Sequence, residues 1–186
     1  MKQITLIRHA KVDIDNTEKI DSLELQKWIE LYDSAPIASE SLPTKETIHL
    51  ARKADIVVTS ALRRTIDSAK LLDIEVYTQN AFYNEALIPQ IAIPYLKLKP
   101  KSWLVILRLL LLFGFGKKDT SLKASKVQAK RAATELETLI KEHDKVVLVG
   151  HGGMNWLIQN VLKKRGWKLR KKASHSNWGV TILEYD

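Results

Sequence analysis

Arg8 and His9 stand side by side at the end of the apolar run "ITLIR". Other groups have the types to join them: Arg63 and Arg64 in "TSALRRT" (59–65), Glu85 in "FYNEALIP" (82–89) and His151 in "GHGGMN" (150–155). Guanidinium forks bind phosphate oxygens, a neutral imidazole is a competent nucleophile near neutral pH, and a carboxyl group can move protons. Taken singly, each residue has an ordinary explanation. A histidine behind a strand is commonly a hydrogen-bonded structural residue, and an arginine is commonly a surface cation. Gathered at one place they would make an anion site. Gly150, Gly152 and Gly153 let a ligand approach the backbone, and a helix beginning near Met154 would aim its positive end there.

Other chemistries fail on spacing. "GHGGMN" falls short of a dinucleotide fingerprint, because Asn155 replaces the last glycine and no acid for a ribose follows about 20 residues on. Its likeness to an esterase oxyanion element lacks a G-x-S-x-G nucleophile. The chain has no Walker A sequence, its histidines lack zinc-site spacing, and without cysteine there is no thiolate chemistry or disulfide framework.

The elements that must position these residues alternate. Strands are expected at 4–8, 55–60, 74–78, 145–150 and 179–185, several of them apolar enough to be buried on both faces. Helices fit between them, at 20–32, 43–53, 62–72, about 122–143 and 154–164. That order predicts a single α/β domain whose largely parallel sheet is flanked by helices, with ligands at the carboxyl ends of the strands. Arg8, His9, Arg63, Arg64 and His151 all fall at such ends, and Glu85 lies in the segment after the third strand.

Composition sets outer bounds. The 186 residues suffice for one domain with a real core. The apolar run Trp103–Gly116 is too short to span a bilayer and is interrupted by Arg108. The first residues lack the pattern of a signal peptide, so a cytoplasmic protein is expected. The net charge of +9 is concentrated in "KKRGWKLRKK" (163–172), which holds seven of the thirty basic residues and no acid. That run reads either as a solvated helix end or as a patch for anions. Nucleic acid is disfavoured as a partner, because Trp167 is the only aromatic in the run.

Four motifs in order, "LIRHA" (6–10), "TSALRRTIDSA" (59–69), "NEALIP" (84–89) and "VVLVGHGGMN" (146–155), resemble those of the histidine phosphatase superfamily, and "HSNWGVTILEY" (175–185) resembles its closing strand. The resemblance implies the phosphoglycerate mutase-like fold: one three-layer catalytic domain over 1–186, with a cover segment at about 86–120. It implies His9 as nucleophile, Glu85 as proton donor, and Arg8, Arg64 and His151 as the phosphate cradle, His151 also being catalytic. Arg64 is preferred to Arg63 by the family's S-x-L-x-R spacing from Ser60. The implied reaction is hydrolysis of a small phosphorylated substrate through phospho-His9, with no metal and no organic cofactor. Ala10 stands where the family carries glycine, Val12 and Asp15 stand where a hydroxyl residue and an asparagine are usual, and "WIELYDSAPI" (28–37) replaces a glycine and aspartate pattern. "RHAK" occurs in the branch that dephosphorylates protein phosphohistidine, so that substrate is an alternative, as is a phosphate-binding regulatory protein with little activity. The short chain favours a phosphatase over a mutase. Substrate discrimination is expected from the cover, at Trp103 or Phe113, beside Lys117 and Lys118.

Overall fold

A computed structural model describes residues 1–89, 91–93, 95–115, 120–171 and 176–186. Its strands are β1 (Lys2–Arg8), β2 (Ile56–Thr59), β3 (Thr78–Gln79), β4 (Lys145–Gly150), β5 (Lys168–Lys171) and β6 (Val180–Tyr185). Side chains alternate across the sheet with period two. Ile4, Leu6, Val58 and Leu148 enter one apolar cluster, while Ile7, Val57, Val147 and Val149 enter another on the opposite face. A sheet apolar on both faces must be covered on both. α5 (Leu122–Glu142) and α6 (Gly152–Lys164) supply Ala129, Leu136, Met154 and Ile158 to the first cluster, and α2 (Lys45–Arg52) supplies Ala51 to the second. Leu72, which caps α3 (Arg63–Leu71), joins that second cluster.

The strand order is β3-β2-β4-β1-β6-β5, with β3, β2, β4 and β1 mutually parallel, β6 antiparallel to β1, and β5 antiparallel to β6. This is the single α/β domain with a largely parallel sheet that the alternation predicts. Its register sets Arg8 beside Gly150 and Thr59 beside Val149. The carboxyl ends of β1, β2 and β4 are therefore neighbours, and the residues that follow them meet.

Elements differ from expectation where tertiary contacts override pattern. The strand expected at 74–78 shrinks to Thr78–Gln79, which pairs only with β2 at the sheet edge. β5 was not foreseen in the basic run, since K-L-R-K has no apolar periodicity. It forms by pairing with β6, while Leu169 packs on the first cluster and Lys168, Arg170 and Lys171 pair with Asp186, Glu184 and Glu46. Helix α1 (Glu24–Ser34) begins later than Ile20, which is held in an antiparallel bridge to Leu98. α2 begins beyond Pro43, where the Thr44 side chain accepts from the Thr47 amide.

The apolar run that starts at Trp103 lies largely within α4 (Pro100–Leu112). Leu25 and Trp28 of α1 pack with Trp103 and Leu107 of α4 in a third cluster apart from the two that flank the sheet. The expected cover segment thus shares its packing with a helix from outside 86–120. Among the described residues, no helix is long and apolar enough to cross a membrane.

Candidate active site

The backbone at Arg8 and His9 is fastened from three sides. The His9 amide donates to the Gly150 carbonyl at 3.0 Å, the Trp178 amide donates to the Arg8 carbonyl at 3.0 Å, and Asn177 Nδ2 donates to the His9 carbonyl at 2.9 Å. Trp178 takes a left-handed conformation, φ 61°, to make this turn. Ala10, in the glycine position of the motif, is buried and donates its amide to Ser68 Oγ at 2.8 Å. Its backbone is not left-handed, so a methyl group is accommodated without strain.

His9 itself is buried, with Nδ1 2.6 Å from the Ala10 carbonyl oxygen. A carbonyl oxygen only accepts, so Nδ1 carries the hydrogen and Nε2 keeps its lone pair. Burial, and then the Arg64 and Arg8 cations, push its pKa down to about 3. The ring is therefore neutral at physiological pH.

His151 caps the amino end of α6, its ring centroid 5.2 Å from that of His9. Arg64 Nε donates to His151 Nδ1 at 3.3 Å, which leaves the hydrogen on Nε2 to be given to Ser60 Oγ at 2.8 Å. The chain continues from the Ser60 hydroxyl to Thr65 Oγ1 at 2.8 Å and from Thr65 to the Leu62 carbonyl at 2.8 Å. Each donor thus finds an acceptor. Burial, and then His9 and Arg64, hold the His151 pKa well below its usual value.

Of the two consecutive arginines, α3 turns one inward and one outward. Arg64 is buried, donates to Asp33 Oδ1 at 2.6 Å, and lies 4.9 Å above the Tyr32 ring. Arg63 bonds Asp67 and the Ser34 carbonyl on the surface. Arg8 has its pKa lowered, chiefly by burial, but a guanidinium remains charged at neutral pH.

Glu85 takes a place expected for the ligand. The first amides of α6 do face the site, but Met154 N donates to Glu85 Oε1 at 2.9 Å and Gly153 N to Oε2 at 3.3 Å. The helix end expected to receive a bound anion therefore holds a carboxylate of the chain itself. This approach needs glycine: a Cβ on residue 153 would lie 2.7 Å from Glu85 Oε1. Arg108 Nη2 of α4 reaches Glu85 Oε2 at 3.5 Å.

The fold thus gathers Arg8, His9, Arg64, Glu85 and His151 and sends Arg63 elsewhere. Sequence reasoning missed Tyr32, Asp33 and Arg108, and gave Ser60 no role beyond spacing. Arg108 had a visible signal, as the one cation inside the apolar run Trp103–Gly116. Tyr32 and Asp33 had none, because they lie in the segment that departs from the family pattern. Trp103, expected to discriminate substrates, is fully buried and donates Nε1 to the Ile20 carbonyl at 2.7 Å, whereas Phe113 is 79% exposed beyond the end of α4. Neither placement is that of a pocket wall. Lys117 and Lys118 lie outside the described residues. Among the described residues, no three His, Cys, Asp or Glu side chains gather as a metal site.

No family model and no curated protein sequence matches the chain. Solved structures do match in fold. An open-reading-frame product of Mycobacterium tuberculosis aligns with TM-score 0.63 at 16% identity, over 100% of this chain and 92% of that one. A mycobacterial glucosyl-3-phosphoglycerate phosphatase complexed with VO3 aligns with TM-score 0.62 at 17% identity, over 99% and 93%. A phosphoserine phosphatase from Entamoeba histolytica, solved with phosphoserine as a histidine-to-alanine mutant, aligns with TM-score 0.59 at 16% identity, over 98% and 90%. The chain has the fold of these proteins, two of them phosphatases, and it is the fold that its motifs imply.

Proposed function

We propose that the protein is a phosphomonoesterase that passes the phosphoryl group through His9. The observation that carries this reading is the hydrogen bond from His9 Nδ1 to the Ala10 carbonyl, which commits Nε2 as the lone-pair nitrogen of a neutral ring. Nε2 attacks phosphorus, forming a P–N bond as the ester P–O bond breaks. Glu85, entering this step as the carboxylic acid with its oxygens still accepting from the α6 amides, gives its proton to the departing alkoxide. Water then attacks phosphorus and gives a proton back to Glu85, the P–N bond breaks, and inorganic phosphate leaves with His9 restored.

Charge accumulating on the equatorial oxygens needs fixed donors. Arg8 and Arg64 supply guanidinium N–H groups. With Arg64 Nε and Nη1 directed to His151 and Asp33, Nη2 is the nitrogen left for a phosphoryl oxygen. His151 joins the cradle by giving up the Arg64 bond at Nδ1, which then takes a proton and turns to a phosphoryl oxygen while Nε2 stays on Ser60. Approach of a dianion raises the proton affinity of both histidines, so His151 can turn cationic as substrate arrives. No metal ion or organic cofactor takes part in this scheme. The phosphatases of like fold support it, and the substrate proposed is a small phosphorylated molecule.

Labelling with a 32P-phosphomonoester followed by quenching tests the intermediate. Label should survive an alkaline quench on a peptide containing His9, vanish in acid, and be absent from His9→Ala. An acid-stable label, or one that persists in His9→Ala, overturns the mechanism.

A further inference from the structure

Helix α4 is apolar on its inner face and along much of its outer face, where Lys101, Ser102 and Arg108 are the exposed polar residues. Trp103, Leu107 and Leu111 turn inward, while Val105, Leu109 and Leu112, at helical spacing on another face, are 55%, 49% and 51% exposed. Phe113 and Phe115 extend this exposed surface beyond the helix end. A soluble helix normally shows water a polar face, so a patch of this kind marks a surface meant for a partner.

Leu112 links the patch to a cleft of about 1150 Å³ lined by residues of α5, α6 and the chain before them, among them Leu122, Val127, Trp156 and Val161. Trp156 is 47% exposed there. Among the described residues, the cations of the lining are Lys123, Lys126, Lys130, Lys163, Lys164 and Arg165, and no acidic residue shares it. Arg165 pairs with Glu137, whereas the five lysines are exposed. The first part of the basic run 163–172 therefore borders an apolar cleft.

We infer that this face docks on an anionic lipid bilayer, with the outer stripe of α4, Phe115 and Trp156 among the upper acyl chains and the lysines at the headgroups. Charge complementarity selects the occupant. A second copy of the chain would bring two sets of lysines together, which repel, whereas anionic lipid neutralises them. A peptide helix in the cleft would leave Val105, Leu109 and Phe115 uncovered, since none of them lines it. The thirteen residues of α4 reach about 20 Å, short of the roughly 30 Å hydrocarbon core, so the helix lies along the interface and does not cross it. Long lysine stems suit this depth, because they can lie on apolar surface while the ammonium stays at the headgroups. The inference does not depend on the phosphatase reading.

Cosedimentation of the full chain with sucrose-loaded vesicles tests it. At roughly 0.1 M salt the protein should pellet with phosphatidylcholine–phosphatidylglycerol vesicles of about 7:3 composition and stay in solution with phosphatidylcholine alone. Leu112→Ser/Phe115→Ser/Trp156→Ser and Lys123→Glu/Lys126→Glu/Lys130→Glu should each lower partitioning by at least about ten-fold, with circular dichroism and melting reporting the fold. Phe113→Ser/Phe115→Ser, outside every helix, gives a milder apolar variant should the triple one fail to fold. Wild-type protein left in the supernatant overturns the inference, as does a folded variant of either kind that pellets like wild type. A dimer in light scattering that the apolar variant dissolves overturns it in favour of self-association.

Discussion

Both histidines of the candidate site are held neutral by burial and by neighbouring cations, and stability must register this. An unfolded chain protonates His9 below its ordinary pKa of 6.5, whereas the folded chain does so only near pH 3. Between those values the unfolded state binds the extra proton, so folding stability falls as pH drops through that window. His151 is depressed as well and acts in the same direction. Melting followed from pH 7 to 4 should therefore show a loss on the order of a few kcal/mol, and His9→Ala should flatten the slope. An equal slope in the variant would place the titrating groups elsewhere. Asp33 makes a second case at this scale. Its carboxylate bonds the arginine that a phosphoryl group would use, so neutralising it removes a competing anion. Asp33→Asn should lower the inhibition constant of inorganic phosphate by about three- to ten-fold, as expected for one half-exposed charge a few ångströms away. An unchanged constant would show that Asp33 only positions Arg64. Residues of motif spacing, His9, Arg64 and His151 among them, were legible in the sequence because strand ends and register bring them together. Asp33 was not, since it reaches Arg64 through an α1–α3 contact that no local pattern encodes.

At the scale of elements, the amino end of α6 links backbone to chemistry. Its first amides hold Glu85, and only glycine at 153 lets the carboxylate approach. Gly153→Ala should therefore behave as a mild Glu85→Gln. Both should cut turnover of alkyl phosphates, whose leaving groups need a proton, far more than that of nitrophenyl phosphate, whose leaving group needs little help. Steady-state kinetics on the two substrate types decide it; equal losses would remove Glu85 from the acid role. The elements most legible in advance were those with sustained periodicity. The strands at 4–8 and 145–150 and the helix near 122–143 agree with the structure to within about two residues at each end, as expected for buried strands and a long amphipathic helix. β5 and the short β3 escaped because edge pairing, not side-chain pattern, defines them. α4 was visible as an apolar run, but its two exposures, inward toward α1 and outward to solvent, follow only from tertiary packing.

At the scale of the whole molecule, the charge of +9 raises the question of which cations act on a substrate at a distance. The basic run 163–172 does not act as one patch. Lys168, Arg170 and Lys171 are paired with acids, Trp167 is buried against the core, and Lys172 lies outside the described residues. Lys163, Lys164 and Arg165 border the cleft, at the carboxyl end of α6, whereas the candidate site lies at its amino end. A helix of thirteen residues separates those ends by about 20 Å, more than the roughly 8 Å over which physiological salt screens exposed charges. Arg108 stands instead at the site, 3.5 Å from Glu85 and half-exposed. A dianionic substrate approaching the half-buried Arg8 and the buried Arg64 would meet that cation first, so steering should be local. Raising ionic strength from about 0.02 to 0.2 M should then lower kcat/KM for an aryl phosphate several-fold while kcat barely moves, because screening acts on encounter and not on the bound state. Arg108→Gln should flatten that dependence, and Lys163→Glu/Lys164→Glu should leave it as in wild type. The opposite result, a slope that follows the helix-end lysines, would mean that the field of the distant run, and not the cation beside Glu85, brings the substrate in.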